Sequence, residues 1–111
     1  MAIELVLLSD IALTPETMAE VASEVIPDGT GISYRDGEIT QFVDSEGQSV
    51  LTVFDAMPVR FSSEAAAQLH DPPSVFALWT EIIIPFQNET QGQPLAAAFA
   101  GAVGGVLKEK R

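Results

Sequence analysis

The chain has 111 residues, 47% of them hydrophobic, with 16 acidic residues against 5 Lys and Arg, a net charge of -11 and no cysteine. Surface scaling leaves roughly 5,900 Å² exposed of the ~17,000 Å² an open chain of this size presents, so one domain over 1–111 can fold without a covalent staple. Disulfides, zinc–thiolate sites and thiol catalysis are excluded with cysteine, and the apolar fraction excludes a disordered chain despite the charge.

Lys108, Lys110 and Arg111 lie in the last four positions, so residues 1–107 carry only Arg35 and Arg60 against fifteen carboxylates, a net of -13. Nucleic-acid backbones are bound by clustered Lys and Arg, and no such cluster exists outside the terminal four residues. The same field disfavours anionic membranes and favours a basic protein partner, although spread charge of this kind mainly serves solubility. The N-terminal Met-Ala-Ile-Glu-Leu-Val-Leu-Leu has no positive n-region and reads as a strand rather than a signal peptide. Leu95–Leu107 is too short for a membrane span of ~20 residues. A cytoplasmic protein is expected.

In chain order, residues 2–9 predict a central strand buried on both faces, because Val6, Leu7 and Leu8 are consecutive. Thr14-Pro15-Glu16 then offers a cap, a proline at the first helical position and an acid in the first turn. Met18, Val21, Ala22 and Val25 form the packing face of this helix, which ends at Ile26 before Pro27-Asp28-Gly29. Three short strands follow at Gly31–Arg35, Glu38–Val43 and Ser49–Asp55, the first pair joined through Asp36-Gly37 as a two-residue hairpin turn. In the third, both faces read as covered. Ser62–His70 predicts a short helix stopped by Asp71-Pro72-Pro73, and Ser74–Phe86 the longest strand, with Phe76, Leu78, Ile82, Ile84 and Phe86 on one face. Asn88–Pro94 reads as loop, Leu95–Ala102 as an alanine-rich helix stopped at Gly104-Gly105, and Val106–Lys110 as a final strand. The expectation is an α+β fold with an antiparallel or mixed sheet of five to six strands and two main helices on one face. Its order of elements resembles a ferredoxin-like, split βαβ arrangement with an added strand.

No phosphate-binding glycine motif, G-x-S-x-G, H-E-x-x-H or pair of histidines occurs, and no cofactor or metal is expected. Asp44-Ser45-Glu46-Gly47 has its glycine fourth where a calcium loop needs it sixth, so it reads as a hairpin turn. His70, the only imidazole, sits in the last turn of the short helix, where a structural role outweighs a catalytic one. A carboxylate-based enzyme would draw on Asp10, Asp55 and Glu81, and requires at least two of these or His70 to share a pocket.

The second face of the long strand holds Val75, Trp79, Glu81 and Ile83. Unless the short helix or the Met57–Phe61 loop covers it, this face is an apolar patch suited to an isologous homodimer, with Glu81 seeking Arg35 or Arg60. The leading expectation is therefore a non-catalytic domain acting by self-association or partner binding through its sheet face. The alternative is an acidic inhibitor of the immunity type, whose Glu16, Glu20 and Glu24 form a ridge at i, i+4, i+8 for a basic protein. A carboxylate enzyme is the third.

Overall fold

The computed structural model describes residues 2–61, 65, 68–69, 71–73 and 75–110. They form an α+β fold with strands β1 (Ala2–Ser9), β2 (Thr30–Tyr34), β3 (Ile39–Val43), β4 (Ser49–Phe54), β5 (Met57–Pro58), β6 (Leu78–Pro85) and β7 (Val106–Glu109), and helices α1 (Pro15–Val25) and α2 (Glu89–Ala102). The strands make one seven-stranded sheet in the order β2-β3-β4-β6-β1-β7, with β5 also on β6. Every pairing is antiparallel. Seven strands rather than five to six result because the chain breaks after Phe54 and resumes pairing at Met57, opposite Trp79.

β1 and β6 pair along their full length, from Ala2 with Pro85 to Ser9 with Leu78. On β1, Leu5, Val6, Leu7, Leu8 and Ser9 are all buried, which an alternating strand shows only when both sheet faces are covered. Ile3, Leu5 and Leu7 enter a large core with Ile82, Ile84, Leu51, Val53 and Phe42, together with Met18, Ala22 and Ile26 around α1 and Leu95, Ala96 and Phe99 of α2. Phe99 is fully buried and its ring meets that of Phe42 at 5.5 Å, tilted by 53°. Such an aromatic pair adds about 0.5–1.5 kcal/mol to its area burial.

Local chemistry delimits α1 as expected. The Thr14 hydroxyl accepts from the Thr17 amide at 3.2 Å, Pro15 opens the helix, and Ile26 caps it with its amide donating to the Ala22 carbonyl. The β2–β3 connection differs from a two-residue hairpin. The strands part at Tyr34 and rejoin at Ile39, and Arg35, Asp36 and Gly37 take positive φ of 51°, 56° and 92°. The long strand begins at Leu78 rather than Ser74, and most of the expected Ser62–His70 helix lies outside the described residues.

α2 starts six residues before the expected Leu95 and carries Pro94 in its interior. Neither Gly92 nor Pro94 favours a helix there. Docking decides it: a Cβ on Gly92 would lie 2.4 Å from Ile84 Cγ2 and 2.7 Å from the Val50 carbonyl oxygen, so glycine permits close seating on β4 and β6. Just before the helix, Asn88 is buried and its side-chain amide donates to the Ser49 carbonyl at 2.7 Å. At the other end Gly104 has φ +62°, with its amide donating to the Gly101 carbonyl and the Gly105 amide to that of Ala100. This is the Schellman pattern, so the glycine pair ends the helix as expected.

Two glycine substitutions in α2 should therefore move stability in opposite directions. Gly92→Ala is expected to lose about 1–2 kcal/mol net, because overpacking exceeds the gain in helix propensity. Gly101→Ala, where a Cβ meets nothing within 4 Å, should gain about 0.5–1 kcal/mol. Urea denaturation midpoints of the two variants check both signs.

Candidate functional site

The sheet face opposite the large core carries Val6 and Leu8 of β1, with Trp79 of β6 paired to Leu8. Val6, Leu8 and Trp79 form a second core with Ala65, Leu69 and Phe76, against which Val59 packs. Val59, Ala65, Leu69 and Phe76 thus cover this part of the sheet from within the chain. Trp79 is only 8% exposed. Of the two arrangements weighed from the sequence, cover from within the chain is the one found, with Val59 of the Met57–Phe61 stretch packed on this core.

The four residues expected to act as one patch have separate fates. Val75 is 80% exposed in the approach to β6 and takes no part in the second core. Glu81 is ion-paired with Lys110 rather than with either arginine, because Lys110 donates its amide to the Glu4 carbonyl and so lies next to β6's neighbour, β1. Ile83 is half-buried and lies opposite Glu4 on one side and Thr52 on the other.

From Ile83 outward, the same face runs across β4, β3 and β2. Register places Thr52 opposite Gln41, Gln41 opposite Ile32, Phe54 opposite Ile39, and Ile39 opposite Tyr34. Paired residues share a face, so Ile32, Tyr34, Ile39, Phe54 and Ile83 all point away from the large core. Ile39, Phe54 and Ile83 are half-buried, whereas Ile32 and Tyr34 are 38% and 45% exposed. The Tyr34 hydroxyl donates to Gln41 Oε1 at 3.2 Å, which holds the ring across the strands. Among the described residues, this half carries no buried cluster comparable to the second core. The alternation of Ile32 and Tyr34 in 30–34 was a usable signal for it; Lys110 had none, since its pairing with Glu81 spans 29 positions.

The carboxylates considered for catalysis are used locally. Asp10 Oδ1 accepts the Ala77 amide at 3.1 Å and Asp55 Oδ1 the Ala56 amide at 3.0 Å, each securing a strand end. Glu81 lies opposite Val6, four residues from Asp10 along β1, or about 13 Å. His70 lies outside the described residues. Asp44 Oδ1 accepts the amides of Glu46 and Gln48, making a side-chain-capped hairpin turn. No three His, Asp or Glu side chains among the described residues converge as a metal ligand set. Glu16, Glu20 and Glu24 are all exposed on α1, and no described helix is long and apolar enough to cross a membrane.

Trp79→Ala should therefore cost about 3–5 kcal/mol of folding stability, as a core truncation does. Val75→Ala should stay within about 0.5 kcal/mol. Chemical denaturation followed by far-UV circular dichroism reads both variants, including the one without the indole.

No protein-family model, no curated protein and no solved structure matches this chain.

Proposed function

We propose that this chain is a small, acidic, non-catalytic domain that works by protein association, most simply with a second copy of itself, through the open half of its sheet. The observation that carries this reading is the one-sided cover: Val59, Ala65, Leu69 and Phe76 pack with Val6, Leu8 and Trp79, while Ile32 and Tyr34 remain exposed beside Ile39, Phe54 and Ile83. An apolar, aromatic-bearing surface with few charges at its centre is what interfaces select. Of the residues first assigned to the interface, Ile83 lies on this half, Glu81 borders it with Lys110, Val75 stands apart, and Trp79 supports the sheet from inside. The β7-β1-β6-β4 block, with α1 and α2 contributing to one core, supports a ferredoxin-like reading in which both helices share a face and β3 and β2 extend the sheet. That arrangement is what leaves the other face of β2, β3 and β4 free.

A second reading, an acidic inhibitor of the immunity type, draws on the exposure of Glu16, Glu20 and Glu24 along α1, whose last turn has no basic residue. Salt separates the two. Apolar association persists at high ionic strength, whereas contacts made by an exposed charge ridge weaken steeply. Sedimentation equilibrium of the pure protein at about 0.05 M and 1 M salt is expected to show a concentration-dependent dimer at both. A monomer at both salts up to ~100 μM, where even weak interfaces of this class populate, overturns the self-association reading.

A further inference from the structure

We propose that two copies of this chain join edge to edge through β2, in antiparallel register about a two-fold axis at Ile32, so that their sheets continue as one. The proposal rests on the association reading above and names its contact.

The two edges of the sheet are treated differently. β7 has only four residues, two of them Lys108 and Glu109, and Leu69 bridges to Lys110 immediately beyond it. Short length, charge and cover are the usual defences of a free edge. β2 has none of them. Thr30-Gly31-Ile32-Ser33-Tyr34 contains no charge and no proline, all five residues are exposed, and the strand closes the sheet order with one neighbour only. Among the described residues its outward amide and carbonyl groups have no partner strand, which is a template for adding another strand.

β2 is also complementary to itself. Centred on Ile32, antiparallel pairing sets Thr30 opposite Tyr34 of the second copy and Gly31 opposite Ser33 of the second copy. On the open face Ile32 then meets its counterpart and Tyr34 lies over Thr30, covering the two exposed apolar side chains of β2. Towards the helices only Gly31 and Ser33 meet, so no bulky side chain blocks approach. Charge agrees with the same register. Arg35, which makes no ion pair among the described residues, leaves the strand beside Gly29 and Asp28 of the second copy, and both Arg35 and Asp28 are exposed. Asp36 at the same tip opposes part of this gain, so the two symmetric Arg35–Asp28 contacts fix register more than affinity. A ladder of five residues buries less than about 1,200 Å² in total, which places the dimer in the weak, reversible class.

Because the chain has no cysteine, Ile32→Cys introduces its only thiol. Cα atoms opposite each other in an antiparallel pair are about 4.5–5.5 Å apart, within disulfide range. Under mild oxidation at ~100 μM, Ile32→Cys is expected to form covalent dimer at least ~10-fold faster than Val75→Cys, a highly exposed position that reports random collision. Arg35→Glu should weaken the noncovalent dimer roughly 2- to 30-fold at low salt, and adding Asp28→Lys should restore it. If the native chain dimerises in sedimentation yet Ile32→Cys couples no faster than Val75→Cys, the edge contact is wrong and the association reading survives. A monomer with no preferential coupling removes both. Coupling at Ile32 without charge-swap rescue keeps the strand pairing and overturns the Arg35–Asp28 contacts.

Discussion

The structure depends on β1 being buried on both faces at once. Val6 and Leu7 are fully enclosed and Leu8 nearly so, and they point alternately into two different cores. Leu7 joins the core built with α1 and α2; Val6 and Leu8 join Ala65, Leu69 and Phe76. A strand has a side-chain period of two, so a slip of one residue against β6 would exchange the two sets and place each in a cavity shaped for the other. The eight-pair ladder from Ala2–Pro85 to Ser9–Leu78 is thereby held in one register. Each fully buried aliphatic side chain contributes about 1.5–3 kcal/mol, so both cores have a stake in that register.

The second core is smaller than the sheet beneath it. Val59, Ala65, Leu69 and Phe76 cover the part of β1 and β6 near Leu8 and Trp79, and among the described residues no comparable cluster lies on the β2–β3–β4 side. Two environments on one continuous sheet face result, separated by the Glu81–Lys110 pair. That pair is partly exposed, with side chains 32% and 24% accessible, so its value lies in pinning the C-terminal strand beside β1 rather than in stability. The association we propose draws on this asymmetry, because an apolar half-face ending in an uncharged edge strand is energetically incomplete in water.

Close approach of α2 to the sheet is bought with glycine. Gly92 sits where any Cβ would collide with Ile84 and the Val50 backbone, and Gly105 where one would meet Leu7 and the Leu8 carbonyl. Gly92 is a poor choice by helix propensity, and Pro94 two residues on removes a helical hydrogen bond. The buried contacts of Leu95, Ala96 and Phe99 outweigh these local costs, which is the ordinary outcome when tertiary packing and propensity disagree.

What could be read from residues alone were the features that local chemistry settles. The Thr14-Pro15-Glu16 start, the Pro27 stop, the Gly104-Gly105 terminator and the doubly buried first strand each follow from φ restrictions, capping groups or an unbroken apolar run, and each is found. The class of fold followed from their order. What stayed hidden were contacts between parts of the chain far apart in sequence: the early start of α2, set by a hole between Val50 and Ile84; the enclosure of Trp79 by Phe76, Leu69 and Val59; and the pairing of Glu81 with Lys110. An alternating pattern shows that a strand has two faces, but which face meets protein and which meets water depends on where a connecting segment folds back, and only the assembled tertiary structure decides that.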